Sequence, residues 1–192
     1  LPSATEWAAA SEATLTWYDR TTVPVQVWVA PQAAVDGESA MALAQSVLTQ
    51  AAVQGHCGTE ARLDVDVAVL TDDAWTRIAG DDGLASAIER DAVTEAGGGG
   101  LFVDGALNLY VGPVREAGAV QVVVEGVDAA FVDPDAAVDG RALARAVLAL
   151  RGDIPVSGSG DGAMGEKDAD NLFNGMGSGS AVTAAQCEAV GL

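Results

Sequence analysis

Histidine and cysteine, the soft ligands most typical of zinc sites, are scarce in this chain. Its 192 residues include one histidine, His56, and two cysteines, Cys57 and Cys187. A zinc peptidase needs several neutral imidazoles to hold the ion, and a carboxylate to take a proton from the bound water. A single histidine therefore excludes a three-histidine zinc site within one subunit, and we expect His56 to be a loop or packing residue.

Serine and carboxylate chemistry have no stronger candidates. The Gly-x-Ser-x-Gly turn that presents the nucleophile of an α/β-hydrolase is absent, and Ser157-Gly158-Ser159-Gly160 lies in a polar loop after a helix. Among 28 acidic residues a pair of carboxylates can always be chosen, but no spacing selects one. The sequence therefore nominates no catalytic residue of either kind.

Calcium is the one metal for which the sequence offers ligands. Carboxylates in a Gly-rich loop are the hard oxygen ligands that Ca²⁺ prefers, although their spacing does not match an EF-hand. The alternative is a solvated acidic loop without an ion. The weak calcium candidates are Asp161, Glu166, Asp168 and Asp170, followed by Asn171. We expect no other cofactor.

The two cysteines favour a disulfide. An even count in an exported chain indicates a bond between Cys57 and Cys187, which would close a loop of about 130 residues and stabilise the fold by roughly 4 kcal/mol. Two buried free thiols are the alternative. A zinc site built on the pair is disfavoured, because the nearest additional soft ligand is His56.

A buried helix from Asp139 to Leu150 is the element around which the others are arranged. Asp139 can cap its start, and Gly152 follows its end. Apolar residues recur at the i, i+4, i+7 spacing of one helix face. The predicted core residues are Leu143, Val147 and Leu148.

The remaining pattern predicts an α/β (α+β) domain with a twisted mixed sheet packed on a long helix and the core helix. The strand 23–30 alternates valines on one face, and Pro24 indicates an edge position or the first residues of a strand. Thr183 and Gln186 form a capping box that starts a final helix. The other predicted elements are a helix at 36–54, strands at 62–70, 106–111, 119–124 and 130–132, helical turns at 73–79 and 84–95, and a glycine loop at 97–100. The predicted inner face of the helix at 36–54 consists of Ala40, Leu43, Ala44, Val47, Leu48 and Ala51.

From the core helix onward the chain resembles the metzincin zinc peptidases. The similarity rests on the buried helix, the Gly-rich loop, the turn Asp170-Asn171-Leu172-Phe173 and the helix start Val182-Thr183-Ala184-Ala185-Gln186. In that family the turn reads Asp-Asn-Leu-Met, so Phe173 takes the methionine's place. The resemblance implies a twisted sheet with one antiparallel edge strand lying over the zinc helix. It covers the element order from Val23 onward and is motif-specific from Ala106 to Val190.

The family's zinc helix carries His-Glu-x-x-His-x-x-Gly-x-x-His. If Gly152 is the motif's glycine, the first histidine falls on Arg145, the glutamate on Ala146, the second histidine on Ala149 and the third on Pro155. None of these four residues can do the family's chemistry. The guanidinium of Arg145 would also repel a metal cation. The resemblance therefore implies the family's fold with a degenerate active-site helix.

Charge restricts the partners. The formal net charge is −19, from 28 acidic and 9 basic residues, so nucleic acid and anionic membranes are poor partners. No apolar run is long enough to insert in a membrane. The chain begins at Leu1 without a signal segment, as a processed, exported protein or a trimmed piece would. We expect a secreted, extracellular protein.

The first twenty residues form a predicted N-terminal arm preceding a single domain, 21–192. Large aromatic residues are frequent anchors at interfaces, and Trp7, Trp17 and Tyr18 are the interface candidates. We expect a catalytically inactive, exported protein that binds another protein or assembles with itself, including as a structural subunit of an extracellular polymer. The alternative is an active hydrolase or peptidase with an unrecognised metal or carboxylate site.

Overall fold

A computed structural model describes residues 19–55, 57–86, 90–115, 121–124, 126–152, 172–173 and 182–191. The strands are β1 Asp19–Val29, β2 Thr59–Val69, β3 Leu107–Val111, β4 Gln121–Val123 and β5 Ala129–Val132. The helices are α1 Gly37–Gly55, α2 Asp72–Ala79, α3 Arg90–Ala96, α4 Pro134–Ala137, α5 Arg141–Gly152 and α6 Ala184–Ala189. A short 3₁₀ turn spans Gly97–Gly99.

The five strands form one mixed sheet in the order β2-β1-β3-β5-β4. β1, β2, β3 and β5 run parallel, and β4 is an edge strand antiparallel to β5. Parallel neighbours need crossover connections, and α1 supplies the one between β1 and β2. The α/β fold class predicted from the sequence is confirmed.

β1 lies inside the sheet, so an edge position for this strand is wrong. It pairs with β2 along its whole length and with β3 from Val25 onward. The N–H of Ala30 donates to the carbonyl of Val111 at 2.8 Å, so the backbone N–H and C=O groups of the even-numbered residues of β1 point toward β3. Pro24 therefore points its donor-less nitrogen toward β3 just before the pairing with β3 begins. Proline is tolerated here because no ladder bond is lost.

Two hydrophobic clusters lie on the two faces of the sheet. The first joins α1 and α5 to the odd-numbered valines of β1, and the predicted core residues Leu143, Val147 and Leu148 are confirmed as fully buried within it. The second is aromatic, with the Trp28 and Tyr110 rings stacked at a centroid distance of 6.3 Å. Because the sheet is covered on both faces, β3 and β5 carry mostly apolar residues on both faces, as expected for buried parallel strands.

α1 confirms the predicted long helix but not its whole inner face. Asp36 caps it by accepting a hydrogen bond from the N–H of Ser39 at 3.3 Å. The predicted inner face included Leu43, which is 47% exposed, whereas Met41 is buried. Three alanines, Ala40, Ala44 and Ala51, together with Leu48 make up most of the buried stripe. The stripe is therefore turned toward Met41 and away from Leu43.

The segment after α2 is less helical than its sequence indicates. Helical turns were predicted over 84–95, but Ala85 forms an isolated parallel bridge with Val114, and the helix α3 begins only at Arg90. Two hydrogen bonds join Ala85 to the segment 113–115. Its N–H donates to the carbonyl of Pro113, and its carbonyl accepts from the N–H of Arg115. Tertiary hydrogen bonds override the local helix preference here.

The predicted disulfide is confirmed between Cys57, just after α1, and Cys187 in α6. α6 begins with the predicted capping box, in which Thr183 and Gln186 exchange side-chain and backbone hydrogen bonds. Both sulfur-bearing residues belong to the same buried cluster as α5. The bond therefore fixes the C-terminal helix to the end of α1.

Candidate functional site

The start of α5 is determined by Gly140. Its φ of +75° lies in the left-handed region, and a Cβ there would contact the backbone of α1 at Leu43 and Ala44. Asp139 accepts a hydrogen bond from the N–H of Arg141 at 2.9 Å, which satisfies one free donor of the first turn. Close contact with α1 and a fixed start give α5 a single position beneath the sheet.

Three of the four positions that align with the metzincin zinc ligands and general base lie on α5. Arg145 is buried, with 5% of its surface exposed, and Ala146 and Ala149 are buried as well. A guanidinium has donors only and no lone pair for a metal, and alanine has neither a ligand atom nor a base. α5 therefore supplies no zinc ligand and no general base from these positions. Pro155, the fourth position, lies outside the described residues.

Two guanidinium groups lie one turn apart at Arg141 and Arg145. Burial, and to a lesser extent the charge of Arg141, lower the pKa of Arg145 to about 10, while Asp139 opposes the shift. Burial also lowers the pKa of Arg141. One buried nitrogen of Arg141, Nη1, has no hydrogen-bond partner within the described part of the chain. Burial therefore disfavours the charged form of both guanidinium groups.

The turn that resembles the family's methionine turn is described only at Leu172 and Phe173. Both side chains are buried in the cluster that contains α5. Phe173 is thus an apolar residue of the core, the role expected for a buried aromatic. Asp170 and Asn171 of the same turn lie outside the described residues.

The other candidates cannot be placed. The weak calcium ligands Asp161, Glu166, Asp168 and Asp170, the interface candidates Trp7, Trp17 and Tyr18, and His56 all lie outside the described residues. β1 begins at Asp19, so the last two residues of the predicted arm belong to the sheet. Within the described ranges no three histidine, cysteine or acidic residues come together as a metal site.

A shallow polar depression, which the sequence did not indicate, lies between α1 and the start of β2. It encloses about 250 Å³ and is lined by Arg20, Gln45, Thr49, Glu60, Arg62 and Leu63. Both oxygens of the Glu60 carboxylate are engaged, one by the Thr49 hydroxyl at 2.6 Å and the other by Arg20 Nε at 3.3 Å. The local signal is the polar pair Gln45 and Thr49, which lie four residues apart and so on the same face of α1.

Two buried polar residues on the other face of the sheet are structural. Asn108 accepts a bond from Trp28 Nε1 at 3.1 Å and exchanges two bonds with the backbone of Val103. The Tyr110 hydroxyl donates to the carbonyl of Leu101 at 2.7 Å, and burial raises its pKa. Satisfied buried groups of this kind fix a loop and leave no free base or nucleophile.

Comparison with known proteins gives this chain no relatives by sequence: no protein-family model matches it, and no curated protein is significantly similar. None of the helices within the described residues has the length and apolar character needed to cross a membrane.

Proposed function

We propose that this chain is a metzincin-like protein whose peptidase site is degenerate, and that it acts by binding or self-assembly. The observation that carries the proposal is the buried Arg145, which stands where the family has its first zinc ligand. A buried guanidinium opposes a metal cation at short range. Ala146 and Ala149 add neither the base nor the second ligand.

The fold supports the family resemblance. Four parallel strands and one antiparallel edge strand, β4, form a sheet over a buried helix, which is the arrangement that the resemblance implies. Leu172 and Phe173 pack into the same cluster as Leu143 and Val147. The capping box at Thr183 starts the last helix where the family pattern has one.

The disulfide supports export. Disulfides form and persist in oxidising compartments and are rare in reducing ones. Cys57 and Cys187 are bonded and buried. A net charge of −19 also suits a protein that remains dispersed in a medium containing salt or divalent cations. We therefore place the protein outside the cell, with itself or an extracellular assembly as the partner.

Metal content and proteolysis test the proposal. After thorough dialysis we expect elemental analysis to find far less than one zinc per chain, and we expect no turnover of casein. An active zinc peptidase, dialysed and assayed in parallel, serves as the control that the procedure does not strip a functional site. The same measurement reports any calcium held by the acidic loop.

Stoichiometric zinc together with chelator-sensitive proteolysis would overturn the proposal. The chain would then be the alternative, an active secreted hydrolase or peptidase with an unrecognised metal site. Turnover that persists with chelator present would instead indicate a carboxylate site.

A further inference from the structure

The outer edge of β2 carries backbone groups that the sheet does not use. β2 is the first strand in the sheet order and pairs only with β1. The N–H of Leu70 donates to the carbonyl of Val29 at 2.8 Å, so even-numbered positions of this strand face β1. Successive residues of a strand direct their polar groups to opposite edges. The odd-numbered residues, from Thr59 to Val69, therefore point outward.

A side chain occupies part of this edge. Gln45 of α1 donates to the carbonyl of Ala61 at 2.9 Å and accepts from the N–H of Leu63 at 2.7 Å. A residue of a parallel neighbouring strand makes the same two bonds, to positions two residues apart. The Gln45 amide thus substitutes for one residue of an additional parallel strand, and it also shows that the odd-numbered positions face outward.

Beyond Gln45 none of the described residues pairs with the edge. Within the described residues no hydrogen bond reaches the outward-facing backbone groups of Val65, Val67 or Val69. An additional strand that continued from the position of Gln45 would bond the carbonyl of Leu63 and then these three residues. Unpaired edges are templates for pairing with another chain.

The side chains along this edge indicate what kind of segment fits. Val65 and Val67 are half-buried against the hydrophobic cluster that contains α1 and α5, and Val69 is 73% exposed. Asp64 and Asp66 are exposed on the opposite face. A neighbouring strand with apolar residues on the first face and basic residues on the second would complement both. A second copy of β2 would bring like charges together, which is destabilising.

We propose that the β2 edge from Leu63 to Val69 binds an extended, basic segment of a partner protein as a sixth strand. Main-chain hydrogen bonds supply the affinity, and the alternation of apolar and basic residues supplies the selectivity. The net charge of −19 attracts such a segment from a distance. This inference is independent of the degenerate active site, so zinc in the protein would leave it standing.

Amide hydrogen exchange with a probe peptide tests the proposal. The probe is a short peptide of alternating valine and lysine, and the control has glutamate in place of lysine. We expect the lysine peptide to slow exchange at Val65, Val67 and Val69 by at least about tenfold, as pairing protects amides. The amides of Asp64 and Asp66 already bond to β1 and should not change. The glutamate peptide should protect nothing.

A matched pair of charge reversals distinguishes strand pairing from general attraction. D64K/D66K should bind the lysine peptide about tenfold more weakly, since two cross-strand opposite-charge pairs become repulsive. D104K/D128K changes the net charge equally at exposed loop residues before β3 and β5, and it should bind nearly as wild type does. Absence of protection, or equal loss in both variants, would overturn the proposal. So would protection without peptide that grows with protein concentration, since a second copy would then occupy the edge.

Discussion

Val147 has no exposed surface and packs with α1 and the sheet. A carboxylate placed there would be buried without a partner, at a cost of several kcal/mol, against a total stability of about 5–15 kcal/mol for a typical domain. We therefore expect Val147→Asp to abolish folding, measured as the loss of a cooperative thermal transition. Val138, three residues before α5, is 59% exposed, and Val138→Asp should melt near wild type. A cooperative melt of Val147→Asp near wild type would mean that the inner face of α5 is wrongly assigned.

The pH dependence of stability should carry a contribution from Asp36. Its carboxylate accepts a bond of 2.7 Å from the Ser39 hydroxyl and a weaker one from the Ser39 N–H, and these lower its pKa below the ordinary 3.8. A carboxylate with a depressed folded-state pKa stabilises the protein above its unfolded pKa, and the contribution is lost as the pH falls through the folded value. Wild type should thus melt higher than Asp36→Asn at neutral pH, and the difference should shrink as the pH falls through the lowered folded-state pKa of Asp36.

Ser39→Ala provides the control for this cap. Without the Ser39 hydroxyl, the largest cause of the pKa shift is gone, so Asp36→Asn should alter the pH profile much less in that background. An unchanged pH dependence in the Ser39→Ala background would show that the Asp36 carboxylate is stabilised by something other than the Ser39 hydroxyl. Thermal melts across a pH series are sufficient for both measurements.

Among the elements, the crossing of α1 and α5 depends on one glycine. Gly140 needs a positive φ and also leaves no room for a side chain against Leu43 and Ala44. Gly105 has a similar φ of +78° but nothing within 4 Å of the position of a Cβ. Gly105→Ala should cost only the left-handed strain, about 1–2 kcal/mol. We expect Gly140→Ala to cost clearly more in urea unfolding, because the two helices must separate. Equal losses would show that the contact at Gly140 relaxes freely.

The sequence predicts these elements as far as periodicity and capping reach. Alternating valines in β1 and β2, the apolar stripe of α5 and the capping box at Thr183 are local signals, and each marks an element that is present. Positions within the sheet are not local. Pro24 suggested an edge strand, but what matters is which side its nitrogen faces and where β3 begins. Ala85 likewise pairs with Val114, a partner that no local pattern indicates.

In the candidate site, too, local features could be predicted from the sequence and contacts between distant residues could not. That Arg145, Ala146 and Ala149 lie on a buried helix follows from its apolar stripe, and the structure agrees. The depression beside Glu60 and the bonds of Gln45 to β2 join residues well apart in the chain. Nothing in the sequence near Gln45 specifies that its amide will meet a strand edge. Contacts of this kind depend on the crossover of α1 over the sheet.

At the scale of the whole molecule, charge opposes association. A charge of −19 per chain makes contact between copies costly at low salt, and the repulsion is screened at high salt over about 10 Å or less. We predict that self-assembly, where it occurs, strengthens with salt or calcium and weakens when the N-terminal arm is removed. Light scattering of the protein with and without the N-terminal arm, across a salt series, measures the change in assembly.

The position of β1 refines that experiment. Because β1 begins at Asp19, deletion of residues 1–20 would remove the start of β1 as well as the arm. Deletion of residues 1–18 removes Trp7, Trp17 and Tyr18 and leaves the strand complete. A triple alanine variant of these aromatics is the matched full-length control. A monomer at every salt concentration would leave the arm without a role in assembly.

The disulfide has a consequence for how the chain withstands proteolysis. It closes a ring of chain from Cys57 to Cys187 that contains β2, β3, β4 and β5, while β1 and α1 lie outside it. A single cut anywhere inside the ring leaves one covalent molecule, whose two pieces part only on reduction. A cut between β1 and α1 is different, because it leaves β1 with no covalent link to the rest. That strand would then be held between β2 and β3 by noncovalent contacts, among them its hydrogen bonds and its buried valines.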